Sequence, residues 1–562
     1  MAAALAFGSS AALAQETIPD GSHGEAGSSA VPVAHQHDAP PVGAAPAVPF
    51  PTIAAPTPPS HADAHAHAHA MHGHAARRPT AILPNVGNGG FSITTPVPEA
   101  QAFFSNGVEL MFAFAHDEAT AAMAEAVRRD PECAICRWGH SLSIGPNLNM
   151  EADAERRKEA YAEVLVGKRL AAAGTGAEKE RALIDALALR FRPKGDVEAR
   201  DRAYAERMAR LASRWPEDDT LQILAADALM VATDWDKPDM GRAIALIEPV
   251  LARNPDHTGA IHFYIHATEI AGQPIKAEAA ADRLVAMNLE ASHLVHMPSH
   301  TYYWVGRYQD AADANRKAVM LGEHQAMTLP ADAEGGVWRL PYHAHNVIFG
   351  LGGALMSGDA RTALMLGRPL VEHTQAQEKG SPVRQLLSAA GYFALARFED
   401  PRVVLTLPEP KTPYLAAARH YARGEALAFL GDVAGVRAEI AAIPGRIGPP
   451  APEPKKGERK PSEAPEQMLI IVRQVLSGRV ATIEGRHADA AAAFEAAAKV
   501  EETEDFGQFS DPPAFWYPVR RDMALALEAA GDREGALREA RRTLEIRQND
   551  PVAAAIVARL SD

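Results

Sequence analysis

From Phe91 onward, apolar side chains return every three or four residues, and the pattern is broken at intervals by Gly or by Asp-Pro and Asn-Pro steps. That period belongs to helices that bury one face, and the two-residue alternation of strands is scarce. Aromatic residues make up only 6% of the chain while Ala is abundant, which fits an all-α chain with a long, distributed core. Before Phe91 the pattern is absent. Residues 16–90 are rich in Pro, Ala, Gly, Ser and His, with too few large apolar groups to offset the entropy of ordering, so this segment is expected to be disordered. A second break, the charged and Pro-rich stretch at 446–466, reads as an exposed loop inside an otherwise helical region, 91–562.

The helical region repeats. Gly107 is followed by Ala119, Met123, Ala126 and Pro131; similar runs are Ala243, Ile247, Val250 and Pro255; Gly306, Tyr308, Ala311, Asn315 and Ala318; Gly358 and Ala363; Gly485, Ala490, Phe494 and Ala497; and Gly531, Ala536 and Ala540. Small residues at these places let paired helices approach closely, and each pair must stack on its neighbours to bury its face. The spacing resembles the tetratricopeptide repeat (TPR), so the expected fold is a TPR-like helical-repeat solenoid. Taken with GAIHFYIHATE, HLVHMPSHTYYWVGRY, HAHNVIF and DPPAFWYPVR, the chain is similar to large bacterial exported TPR proteins, a family without an established reaction. The resemblance implies a shared fold and a shared site.

Histidines concentrate in the middle of the repeats: His257, His262, His266 with Glu269; His293, His296 and His300; His343 and His345. On a helix, His262, His266 and Glu269 share one face, as do His293, His296 and His300. The repeat period starts one unit near Thr258 and the next near Ser292, and counting back from Ala311 gives Ser292 again. The TPR resemblance then places His262, His266, Glu269, His293, His296, His300, Tyr303 and His345 on the wall of one concave groove, with His257 in a turn between repeats. Pro298 should start or kink a helix and so re-aim its neighbours. Imidazoles with a carboxylate suit a transition metal, Zn or Cu above all, in a metalloenzyme or a metal carrier. A hydrogen-bonded histidine network, in a non-catalytic scaffold gripping a peptide or envelope protein, remains the other reading. The HFYIH segment lacks the Glu that a zincin helix carries after its first His, which argues against that protease class.

The remaining signals narrow the setting. A formal charge of -15 leaves no basic stripe for nucleic acid. Residues 1–15 end in Ala-Leu-Ala before Gln15 and resemble a cleaved export signal, which points to a periplasmic or secreted protein; no later apolar run is long enough for a membrane span. The tract carrying His61, His65, His67, His69, His72 and His74 has a metal-binding composition. Cys133 and Cys136 form a CxxC that could close a disulfide in an oxidising compartment or, with His140, contribute a metal corner. Trp516 and Tyr517, between Pro513 and Pro518, are expected to pack one repeat on the next.

Overall fold

A computed structural model describes residues 81–561, apart from 175, 236, 328–334, 451–460 and 510–512. The expected export signal and the histidine tract lie outside the described residues. Those described belong to one compact unit, Pro58–Asp562.

The all-α expectation holds: helices succeed one another throughout, and the only extended pairing among the described residues is an isolated bridge between Asn147 and Met150. Antiparallel pairs form where the small-residue runs lie. Helix α1 (Pro98–Phe112) turns through Phe114, at φ 53°, into α2 (His116–Arg129), and Gly107 seats the Met123 side chain where a Cβ would collide with it at 2.8 Å. Helix α3 (Gly241–Arg253) leads into α4 (Thr258–Ile270), and a split helix, α5 (Ser292–His296) and α6 (Pro298–Trp304), leads into α7 (Tyr308–Ala326). The starts at Thr258 and Ser292 are those the repeat period predicts, and the split falls at Pro298.

Helix α8 (His343–Ser357) lies so close to α7 that a Cβ on Gly353 would stand 2.7 Å from the Ala312 amide nitrogen. Backbone contact of this kind admits only glycine. A continuous apolar core runs from Val86 to Ala526, and a separate small cluster around Ala540 and Ile556 closes the last repeat.

Three expectations need correction. Residues 81–90 do not behave as part of a disordered leader: Val86 is buried, and the Asn88 side chain accepts from the Thr258 amide at 2.9 Å and donates to the Asp256 carbonyl at 2.8 Å. The loop expected through residue 466 ends earlier, because a helix begins at Ala464 and the buried Glu466 accepts from the Tyr414 hydroxyl at 2.6 Å. The solenoid also does not present an open groove at its middle. It curls until distant repeats touch: Asn149 donates to the Tyr342 hydroxyl, and the Tyr308 hydroxyl donates to the Gln548 carbonyl at 2.6 Å, 240 residues away in sequence.

Candidate metal centre

Three consecutive first helices supply the histidines. His262 and His266 lie one turn apart on α4, His293 and His296 on α5, His300 on α6, and His345 in the first turn of α8. Because α4, α5–α6 and α8 stack side by side, the rings converge on two adjoining triads. The ligand atoms of His262, His266 and His293 all lie within 4.8 Å of one another, and so do those of His296, His300 and His345. All six sequence-predicted imidazoles therefore meet, but in the interior: five are buried and His345 is partly buried. Phe114 stands 4.3 Å from His262, Tyr342 4.2 Å from His293, and Phe349 4.8 Å from His296, ring centre to ring centre.

Proton positions can be read from the partners. The Asn315 amide nitrogen donates to the Ala311 carbonyl at 2.9 Å, leaving its oxygen to accept from His296 Nδ1 at 2.7 Å. His300 Nδ1 donates to the Glu269 carboxylate at 3.1 Å. With one N–H in a neutral imidazole, a lone pair is left on Nε2 of each ring while that ring is neutral, and it is the two Nε2 atoms that meet. They face each other at 2.9 Å, with His345 Nε2 3.0 Å from His296 Nε2. Two lone pairs at that distance repel unless a cation, either a proton or a metal ion, lies among them. Burial holds His296 well below the ordinary histidine range, so that ring stays neutral and keeps its lone pair for a cation supplied from outside it. Tetrahedral zinc with Zn–N near 2.05 Å separates its nitrogens by about 3.3 Å, so an ion would ask His300 and His345 each to part from His296 by only a few tenths of an ångström.

Glu269 is placed differently from the expectation. Its carboxylate sits behind His300 and also accepts from Trp304 Nε1 at 3.1 Å, so it orients a ring and raises its basicity rather than joining the triads. The geometry follows from spacing: three residues past His266, it reaches across to the next first helix. Tyr303 packs on Tyr308 beneath Arg547. His343 is buried against Trp338 instead. His257 caps α4, with Nδ1 accepting from the Ala260 amide, which fits its expected place in a turn. Cys133 and Cys136 are joined in a disulfide, while His140 pairs with Glu163, so no metal corner forms there.

Sequence reasoning missed the residues that finish the site. Asn315 was visible only as a repeat-register position, and Phe114, Tyr342, Phe349 and Trp304 carry no signal of their own beyond being aromatic. Burial of Tyr342 and Phe114 here depends on contacts across the curl of the solenoid.

No protein-family description matches this chain, and no curated protein matches it. Among solved structures, a chain of the APC/C hetero-tetramer Cut9–Hcn1 is similar at 12% identity and TM-score 0.28, over 85% of this chain and 78% of that one. Yeast Tom70 is similar at 10% identity and TM-score 0.26, over 82% and 92%. The TPR domain of P58(IPK) is similar at 12% identity and TM-score 0.21, over 77% and 98%. These likenesses are loose, and the helix pairs described above carry the architecture by themselves.

Proposed function

We propose that this protein binds a transition-metal ion, Zn or Cu, through His296, His300 and His345, and acts as an exported metal carrier or metalloenzyme. The observation that carries the reading is the convergence of three imidazoles, with His300 Nε2 2.9 Å and His345 Nε2 3.0 Å from His296 Nε2, while the Nδ1 atoms of His296 and His300 face Asn315 and Glu269. A carboxylate–histidine pair of this kind is the usual support for a metal-bound ring. Neutral nitrogen donors select late transition metals over calcium or magnesium. A scaffold that grips a peptide through these histidines would have only the partly buried His345 to offer at the surface, since His296 and His300 are buried. Export is supported by the Ala-Leu-Ala before Gln15 and by the Cys133–Cys136 disulfide, which suits an oxidising compartment.

The test uses the full chain with His61, His65, His67, His69, His72 and His74 changed to Ser, so that the tract contributes no metal. Elemental analysis should find stoichiometric Zn or Cu that is lost in a folded His296→Gln variant. A metal-free chain whose melting temperature is indifferent to chelators and to added metal would overturn the reading. Sequencing the mature N-terminus from a periplasmic fraction checks the export proposal; an intact residue 1 in the cytoplasm refutes it.

A further inference from the structure

We propose that His262, His266 and His293 form a second ion site, and that the chain holds a pair of monovalent copper ions, one on each triad. This rests on the His296 triad binding metal, as proposed above.

The second triad repeats part of the plan of the first, on the His262 side. His262 Nδ1 stands 2.6 Å from the Phe112 carbonyl, a group that only accepts, so Nδ1 carries the proton and Nε2 offers a lone pair. That lone pair faces His293 Nε2 at 3.2 Å, and the nearest ligand atom of His266 completes the group within 4.8 Å. The two triads share a wall. His266 and His300 rings are centred 5.3 Å apart and His293 and His296 rings 5.5 Å apart, so one compact cage holds both.

Charge selects the oxidation state. As metal ligands the six rings would be neutral donors, and the carboxylate hydrogen-bonded to the cage is that of Glu269. Two divalent ions beside it would leave three positive charges in a buried setting, whereas two monovalent ions leave one. The cost of burying charge climbs steeply with its magnitude. Phe114 and Phe349 press apolar faces on both triads, which deepens that cost. Among the metals that imidazole binds well, copper is the one with a stable monovalent state, and a three-nitrogen site meets its preference for low coordination number.

The experiment is an anaerobic titration of the full chain, with the six tract histidines changed to Ser, against Cu(I) in competition with a colorimetric Cu(I) chelator, followed by ferricyanide oxidation and electron paramagnetic resonance. Expected are two equivalents of Cu(I) per chain, and after oxidation a signal smaller than two isolated Cu(II) ions would give, because neighbouring spins couple. His262→Gln and His296→Gln should each halve the copper content and restore an uncoupled single-ion spectrum. One equivalent that is lost in His296→Gln but kept in His262→Gln would overturn the pair and leave the first metal site standing. No copper or zinc at all would sink both readings. Two equivalents of Zn with no retained Cu(I) would refute copper alone. Should either variant fail to fold, stoichiometry and spin coupling in the parent chain decide the matter.

Discussion

Around Arg479 and Arg521 each guanidinium meets an anion, whereas around His296 imidazole meets imidazole. Arg479 bonds Glu425 at 3.1 Å and Asp522 at 2.7 Å, and Tyr517 donates to the same Asp522. Arg521 bonds Asp550 at 3.0 Å while lying over the Trp516 and Tyr517 rings. This network in the last repeats is built from opposite charges, and Trp516 and Tyr517 pack within it. In the buried histidine cage rings of a single kind converge, with Glu269 behind one of them. Burial alone therefore does not identify a site. What separates the two regions is that one joins opposite charges and the other gathers like rings.

The contrast can be broken in four ways. Arg521→Ala removes one half of a fully buried pair and should cost about 3–5 kcal/mol in denaturant unfolding while leaving the metal content unchanged; a loss below 1 kcal/mol would mean the network is not self-sufficient. Withdrawing metal from the cage should lower stability by about 2.7 kcal/mol where the free ion had been held at about 100 times its dissociation constant, read from the denaturant midpoint with and without chelator; identical midpoints would place the cage beside the arginine network as plain structure. Glu269→Gln should weaken metal affinity about 10–100-fold by removing the carboxylate that orients His300, measured by chelator competition, and an unchanged affinity would strip Glu269 of that role. Asn88→Ala, which frees residues 81–90 from the start of α4, should cost about 1 kcal/mol with the ion count intact; loss of metal in this variant would show that the leading segment helps to shape the cage.

Much of this arrangement was legible in the sequence because it is set locally. Small residues and prolines recur at the repeat period, so the starts of α4 and α5 at Thr258 and Ser292 could be counted, and helical spacing put His262 with His266 and His293 with His296 on common faces. What could not be counted was depth. His262 finds its partner in Phe112, 150 residues earlier, and Tyr342 meets Asn149 across 193 residues. Those contacts depend on how tightly the whole solenoid curls, a sum of small rotations between repeats that no single repeat reveals. The same limit explains Glu269. Its position relative to His266 was correct, but only the angle between α4 and α6 decides that it reaches His300 instead of a metal.

The touch between Gly306 and the end of the chain has its own consequence. A Cβ on Gly306 would stand 2.5 Å from the Gln548 carbonyl, and Asn549 donates to the Val305 carbonyl beside it. An ordinary repeat protein can zip up from either end as soon as a few neighbours exist. Here a segment some 240 residues downstream must emerge from the ribosome before the middle of the molecule is clasped, and closing so large a loop belongs to slow, late folding. A nascent chain stalled short of Gln548 should thus hold its central helices without the clasp, and be open to proteases until its last repeat arrives.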